Sequence, residues 1–188
     1  MHRKLLLNIA LVAVFLGSSC CVWAKGKAEY KAKDGTRVVI LPVGRSSGHE
    51  DYENRIEFYS AQNQMLCALD YSSADGEHGF GVVKAAWTPD NKYFVFSLTS
   101  SGGHQSWHAP TLFFSRRNNA ILDLDNYAEG SGISKGDFVL EAPNIVVTEA
   151  WKGESLPAKF HLDKLPRNDR QASHKMACGD GKVLRPES

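Results

Sequence analysis

The feature that most constrains the fold of this chain is an internal repeat of about 55 residues. The stretch SSGHEDYENRIEFYSAQNQMLCALDY, which starts at Ser46, aligns without gaps with SGGHQSWHAPTLFFSRRNNAILDLDNY, which starts at Ser101. The matched residues are Gly48 and Gly103, His49 and His104, Tyr52 and Trp107, Phe58 and Phe113, Tyr59 and Phe114, Leu69 and Leu124, and Asp70 and Asp125. A weaker third copy contains EAPNIVV from Glu141. Because repeated units stack on their neighbours, the chain is expected to form two to three similar units.

Each copy is predicted to consist of strands and turns. The short runs YFVFS, TLFFS, IEFYS and NIVV are rich in β-branched and aromatic residues and are bounded by turn-forming residues. A helix over Tyr52–Leu66 is compatible with the composition of that segment, but its counterpart TLFFSRRNN does not have a helical composition. SAQNQ and SRRNN are predicted hairpin connections, in which Asn63 and Asn118 adopt a left-handed backbone conformation.

The segment AAWTPDNKYFVFS, Ala85–Ser97, combines a proline-led turn with an apolar strand. Pro89 sets φ for a turn, Asp90 and Asn91 can bond the local backbone, and Trp87 offers a large apolar face to an adjoining sheet. The segment resembles the W-[ST]-P-D-x-K-x-x-x-F-S pattern of TolB-type, WD40-like blades, which also occur in the propeller domains of prolyl-oligopeptidase-like enzymes. The resemblance implies four-stranded antiparallel blades and no catalytic residue, since those enzymes carry their catalytic serine in a separate domain.

The repeats are too few for a closed propeller, which has at least about four blades. The predicted fold is therefore all-β, with antiparallel blade-like sheets from two to three repeats arranged as an incomplete propeller or a sandwich. Residues 25–165 are expected to form this repeat domain, and residues 166–188 a polar C-terminal tail.

The first 24 residues are predicted to be a secretory signal peptide. A basic start, MHRK, precedes the apolar run LLLNIALVAVFLG, and Val22 and Ala24 then stand as in a cleavage site. The protein is thus expected to be exported, to a periplasm or to the medium. The alternative is a lipid anchor through Cys20 or Cys21.

The charge balance argues against nucleic acid as a partner, and the hydropathy argues against a transmembrane segment. Without Arg3 and Lys4 the chain has 20 basic and 21 acidic side chains, a balance that gives no reason to expect nucleic acid as a partner. No segment after the signal approaches the roughly 20 apolar residues of a membrane span, so no transmembrane segment is expected in the mature chain. A protein partner or a homo-oligomer remains open.

Two cysteines follow the signal, Cys67 and Cys178. Export to an oxidising compartment would allow a disulfide between them, which would tie the C-terminal tail to the domain. In the alternative, Cys67 is a small buried residue and Cys178 a free thiol of the tail.

The candidate ligand-binding residues are His49, His104, Trp107 and His108. His49 and His104 each follow a glycine at equivalent positions of the repeat, so stacked units would place both on one edge of the domain. Converging imidazoles suit a transition metal, and the tryptophan suits a sugar or an aromatic ligand. A structural Gly-His turn explains the two repeated histidines without any ligand and is the preferred interpretation, and whether a metal or another cofactor is bound is left open by the sequence.

Two functions are compatible with these observations. The first is an exported, non-catalytic β domain that binds a protein or a small ligand through its edge loops. The alternative is a metal-dependent or serine hydrolase that uses the histidine-rich loops, although the chain has no G-x-S-x-G motif. Asp70 and Asp125 stand at equivalent ends of strands, which favours a role in turns over a catalytic pair.

Overall fold

The computed structural model describes residues 26–43, 53–103, 107–128, 132–165 and 175–186. These residues form three β-sheets with two short 3-10 helices and no α-helix. The predicted all-β class of antiparallel sheets is confirmed, and the sheets are stacked and not closed into a barrel.

Sheet A begins with four consecutive strands in the order of the sequence, each antiparallel to the next. Its strands are β1 (Ala28–Lys31), β2 (Arg37–Pro42), β3 (Asn54–Tyr59) and β4 (Met65–Asp70), with β13 (Lys182–Leu184) parallel to β4. Apolar residues alternate along β3, where every second side chain is buried. This period of two is the pattern of a strand with one face in the core.

Sheet B repeats that arrangement. Its strands are β5 (Phe80–Trp87), β6 (Tyr93–Ser100), β7 (Thr111–Ser115) and β8 (Ala120–Asp123), with β12 (Met176–Ala177) antiparallel to β8. All five residues of β7 are buried, because both faces of this sheet are covered. A continuous run of apolar residues such as TLFF is therefore suited to this strand.

Sheet C is smaller. It contains β9 (Val139–Glu141), β10 (Ile145–Trp151) and β11 (Ser155–His161), with β10 in the centre. The two 3-10 helices, Asp125–Tyr127 and Leu162–Lys164, follow β8 and β11. The predicted weak third copy coincides with β9 and β10, since the EAPN stretch forms the turn between them.

Two apolar cores hold the three sheets in a stack, with sheet B in the middle. In the first core, Phe58 of sheet A packs against Phe94, Phe96 and Phe114 of sheet B, with ring centroids 4.8 to 6.4 Å apart. In the second core, Val95 and Phe113 of sheet B join residues of sheet C: Val146, Ala150 and Phe160. Successive residues of β6 thus point into different cores, as the pleat of a strand requires.

Side-chain direction agrees with the 55-residue alignment. Phe58 belongs to the core between sheets A and B, whereas its counterpart Phe113 belongs to the core between sheets B and C. Leu69 and Leu124 are divided in the same way. In both pairs, the first residue lies in the core between sheets A and B and its counterpart in the core between sheets B and C, as expected if one unit is repeated along the stack.

The C-terminal segment is attached to both large sheets. It supplies β12 and β13, and a disulfide joins Cys178 to Cys67 of β4 over 111 positions of sequence. The first alternative for the two cysteines is thus the one present in the structure. Both cysteines are buried at the edge of the first core.

Some predictions fall outside the described residues. Residues 1–24, His49 and His104 are not among them. In the part of the chain that is described, no helix has the length and apolar character needed to cross a membrane.

Candidate functional site

The topology sorts the connections between strands onto two ends of the stack. We call the end with the connections after β2, β4, β6 and β8 the histidine rim, because His49, His78, His104 and His108 belong to these connections in the sequence. The opposite end, with the connections after β1, β3, β5, β7 and β9, is the turn rim. At each rim, a hydrogen bond joins a connection of sheet A to a connection of sheet B: Ser101 to Glu53 at the histidine rim, and Lys33 to Asn91 at the turn rim.

A buried carboxylate joins three connections at the histidine rim. Glu53, which precedes β3, is 1% exposed. Its Oε1 accepts hydrogen bonds from the Gly79 backbone N–H at 2.8 Å and from Ser101 Oγ at 3.0 Å. Its Oε2 accepts the Ser73 backbone N–H at 2.7 Å, and Ser73 Oγ also donates to Oε1. Hydrogen-bond donors from the connections after β4 and β6 therefore converge on one carboxylate, which lies immediately before β3.

Glycine is required at position 79 for this arrangement. A Cβ atom there would collide with the carboxylate of Glu53 and with the carbonyl oxygen of Tyr71. Ser101 Oγ is also within hydrogen-bond distance of the Gly79 carbonyl oxygen, at 3.2 Å. The bases of the loops that carry His49 and His104 in the sequence are thus held together, because Glu53 ends one loop and Ser101 begins the other.

Trp107 and His108 occupy the end of the connection between β6 and β7. Trp107 is 66% exposed, the largest exposed fraction among the large apolar side chains of the described residues. His108 is half-buried, and its Nε2 lies 3.1 Å from Oδ2 of Asp125. The histidine is therefore held by the body of the domain, while the neighbouring indole extends into solvent.

Asp125 and Asp123 form a carboxylate pair beneath His108, and we call these three residues the His108 cluster. Asp125 Oδ1 accepts the Ile133 backbone N–H, and Asp123 Oδ1 accepts the Asp125 backbone N–H at 2.9 Å. Burial and the neighbouring Asp125 carboxylate raise the pKa of Asp123 to about 7. The hydrogen bond to Asp125 raises the pKa of His108 despite partial burial. Asp123 therefore gains and loses its proton near neutral pH, and His108 keeps its proton to a higher pH than an unperturbed imidazole.

Two tyrosines, Tyr71 and Tyr127, are near enough to Asp123 to feel its charge. Burial, and secondarily the charge of Asp123, raises the pKa of both Tyr71 and Tyr127. The Tyr71 hydroxyl is buried and, within the described residues, has no hydrogen-bond partner. Both phenols stay protonated at neutral pH, so the groups whose pKa is shifted toward or above neutral pH here are Asp123 and His108.

The predicted site residues are thus only partly brought together. Trp107 and His108 lie side by side at the histidine rim, whereas the convergence of His49 and His104 with them stays a prediction. His78 pairs with Asp75 at 2.5 Å in the connection after β4. Within the described ranges, no three His, Cys, Asp or Glu side chains are grouped so as to hold a metal ion.

The turn rim contains the WTPDN motif. The predicted tight turn is confirmed: the Thr88 N–H bonds the Tyr93 carbonyl oxygen at 2.9 Å, and Asn91 has a φ of 57°. Asn91 Oδ1 accepts the Lys33 N–H of sheet A at 2.9 Å, and Asp90 Oδ2 accepts from Asn144 Nδ2 of sheet C at 2.6 Å. The motif in the middle sheet therefore bonds the equivalent turns of both neighbours.

Trp87 is partly buried against the first core, and its ring lies on Phe94 of the neighbouring strand in the same sheet, with centroids 5.2 Å apart. A direct contact of the indole with an adjoining sheet stays a prediction. Of the two predicted left-handed asparagines, Asn63 has a φ of 65°. The assignment of Asn118 was wrong, because the next residue, Asn119, has the positive φ of 43°.

Sequence reasoning did not identify Glu53 or Asp123 as site residues. An acidic residue within an apolar strand, as in AILDLD, was the available signal for Asp123. Asp70 accepts two hydrogen bonds from Ser72, which is the expected role in a turn. Its counterpart Asp125 does more, since it also binds His108.

Comparisons with known proteins return no match: no protein-family model, no curated protein and no solved structure is similar to this chain at a significant level.

Proposed function

We propose that the protein is an exported, non-catalytic β domain that binds a protein or a small ligand through the histidine rim. The observation that carries this proposal is the exposed Trp107, which is 66% exposed beside a histidine held by Asp125. An exposed tryptophan on a well-supported loop is a frequent anchor of binding surfaces, because a large apolar area is available at a low cost in conformational entropy. The Glu53 hydrogen bonds would keep the surrounding loop bases in place without a ligand.

Two further observations support the proposed export and the proposed relationship to TolB-type blades. A buried disulfide between Cys67 and Cys178 fits an oxidising compartment, and thus export to a periplasm or to the medium. The two four-stranded meanders and the WTPDN turn fit the resemblance to TolB-type blades, and we propose that relationship as part of the same interpretation. In stacked repeats the loops map to one face, which is often the binding face.

The test is co-purification of the tagged full chain from its own cells, followed by native mass spectrometry, which detects bound proteins and small ligands alike. The parent is compared with Trp107→Ala and with the matched control Val139→Ala, whose side chain is 60% exposed on sheet C. We expect a bound species with the parent and with the control, and its loss with Trp107→Ala at unchanged melting temperature. A bound species that is retained by Trp107→Ala, or absent from the parent, refutes the proposal.

A further inference from the structure

A second surface with the character of a binding site lies at the turn rim, and the inference from it is independent of the proposed function. A groove of about 590 Å³ opens between the turns of sheets A and B. This volume is within the range of small-molecule sites, about 300 to 1,000 Å³. Its apolar part is formed by Ala61, Leu66 and the ring of Tyr93, and its polar part by side chains of the turns that include Gln62, Arg117 and Asn119.

The two acidic side chains of the groove are already occupied by donors. Asp34 accepts the Thr36 N–H and Oγ1–H and also binds Arg116. Asp163 accepts from Lys92 Nζ at 3.0 Å and from Tyr93 Oη at 2.8 Å. The Asn144 amide donates to Asp163 as well. The negative charges of the groove are thus neutralised locally and offer little attraction to a cation.

The basic side chains are not all balanced in this way. Arg116 binds Asp34 and the Asn91 carbonyl oxygen, and Lys92 lies between Asp90 and Asp163. Arg117 is exposed, and no carboxylate of the described residues lies within ion-pair distance of it. The groove therefore contains the Arg117 guanidinium, whose hydrogen-bond donors are available to a ligand. The two neighbouring ion pairs, Arg116 with Asp34 and Lys92 with Asp163, have no net charge.

Two amide side chains add hydrogen-bonding capacity next to this cation. Within the described part of the chain, the side chains of Gln62 and Asn119 make no hydrogen bond. Each can donate and accept, so each can bind a carboxylate oxygen or a hydroxyl. The side chains of Ala61 and Leu66 and the ring of Tyr93 provide the accessible apolar surface of the groove.

We propose that the turn-rim groove binds a small organic anion that has one carboxylate on an apolar body. Arg117 receives the carboxylate, since a guanidinium matches the two oxygens of that group in a bidentate arrangement. The apolar body lies against Ala61, Leu66 and the ring of Tyr93, and the amides of Gln62 and Asn119 complete the hydrogen bonds. The fixed ion pairs at Asp34 and Asp163 hold the walls in place before the ligand arrives.

The experiment is an NMR titration of the full mature chain with benzoate, with benzamide as its uncharged analogue and inorganic phosphate as an anion without an apolar body. Arg117→Gln is compared with the matched control Arg185→Gln, whose side chain is 80% exposed near Asp70, at the end of β4. We expect saturable shifts at the groove with benzoate. Arg117→Gln should weaken binding about tenfold or more, the effect of losing one charge-assisted hydrogen bond, and Arg185→Gln should leave it unchanged.

Three results overturn the proposal. The first is the absence of saturable shifts at millimolar benzoate, and the second is equal affinity in Arg117→Gln and the parent. The third is binding of phosphate or benzamide as tight as that of benzoate, because a general anion patch or a simple apolar cleft would then explain the groove. Circular dichroism of Arg117→Gln confirms that this exposed substitution leaves the fold intact.

Discussion

The histidine rim and the turn rim hold neighbouring sheets together with different chemistry. At the histidine rim, one buried carboxylate, Glu53, accepts backbone and hydroxyl donors from two other connections. At the turn rim, short turns are joined by exposed ion pairs, such as Asp34 with Arg116, and by hydrogen bonds of side-chain amides, such as that from the Lys33 N–H to the Asn91 side chain. Buried polar groups are costly to leave unpaired, whereas exposed ion pairs contribute little.

This difference shows how each rim could serve binding. The histidine rim is held at the base of its loops, so that exposed residues such as Trp107 can vary without loss of the fold. The turn rim is held by ion pairs and hydrogen bonds at its surface. The positive charge of Arg117, which has no ion-pair partner among the described residues, lies in the exposed groove. The three predictions below test this contrast, from the largest expected effect to the smallest.

The strongest test of the contrast is to remove one carboxylate from each rim. Glu53→Ala removes the acceptor of the Ser73 N–H and of the Ser73 and Ser101 hydroxyls, and leaves the Gly79 N–H with Ser101 Oγ alone, at 3.1 Å. Since each unpaired buried donor costs about 1 to 3 kcal/mol, we expect a loss of roughly 3 to 5 kcal/mol. Asp34→Asn keeps one oxygen for the Thr36 N–H, breaks the exposed pair with Arg116 and the bond from the Thr36 hydroxyl to the same oxygen, and should cost at most about 1 kcal/mol. Urea unfolding of the three proteins measures both. Equal losses would show that the two rims are not held differently.

The second test concerns the apolar support of the turn rim. Trp87→Ala removes the ring that packs on Phe94 and should lower stability by about 3 kcal/mol, near the lower end for truncation of a large core aromatic, because Trp87 is only partly buried. Trp87→Phe should cost less than about 1.5 kcal/mol, since the buried indole N–H has no partner to lose among the described residues. Thermal unfolding compares the variants. A Trp87→Ala protein as stable as the parent would contradict the assigned packing.

The third test uses the pH dependence of the His108 cluster. The pKa of Asp123 is about 7 in the folded protein, against 3.8 for an unperturbed aspartate, so the folded state holds this proton more tightly. Stability from this group is therefore lost as the pH rises from about 4 to 7. The raised pKa of His108 acts in the same direction above about pH 6.5.

We expect the free energy of unfolding to fall by about 1 kcal/mol or more between pH 5 and pH 8. Asp123→Asn keeps an oxygen acceptor for the Asp125 N–H but cannot titrate, and it should remove most of this slope. Urea unfolding across the pH range measures it. Stability that rises over this interval, or an unchanged slope in Asp123→Asn, would contradict the prediction.

Much of the architecture could be predicted because its causes are local. Alternating apolar residues in IEFYS and the continuous run in TLFFS mark strands, and the Pro89-Asp90-Asn91 sequence marks a turn. The 55-residue alignment also anticipated which residues occupy equivalent places, as Phe58 and Phe113 show. The error at Asn118 is of one residue, since two adjacent asparagines can both adopt the left-handed conformation and hairpin geometry selects Asn119.

The sequence by itself determined an all-β chain of repeated units with its turns, since strand periodicity and turn chemistry act over a few residues. Only the tertiary structure decided the function of polar side chains whose partners are distant in the chain. Glu53 meets Ser101 over 48 positions, and His108 meets Asp125 over 17. Whether a carboxylate is buried, paired or exposed depends on which sheets stack against it, and no local pattern encodes that arrangement.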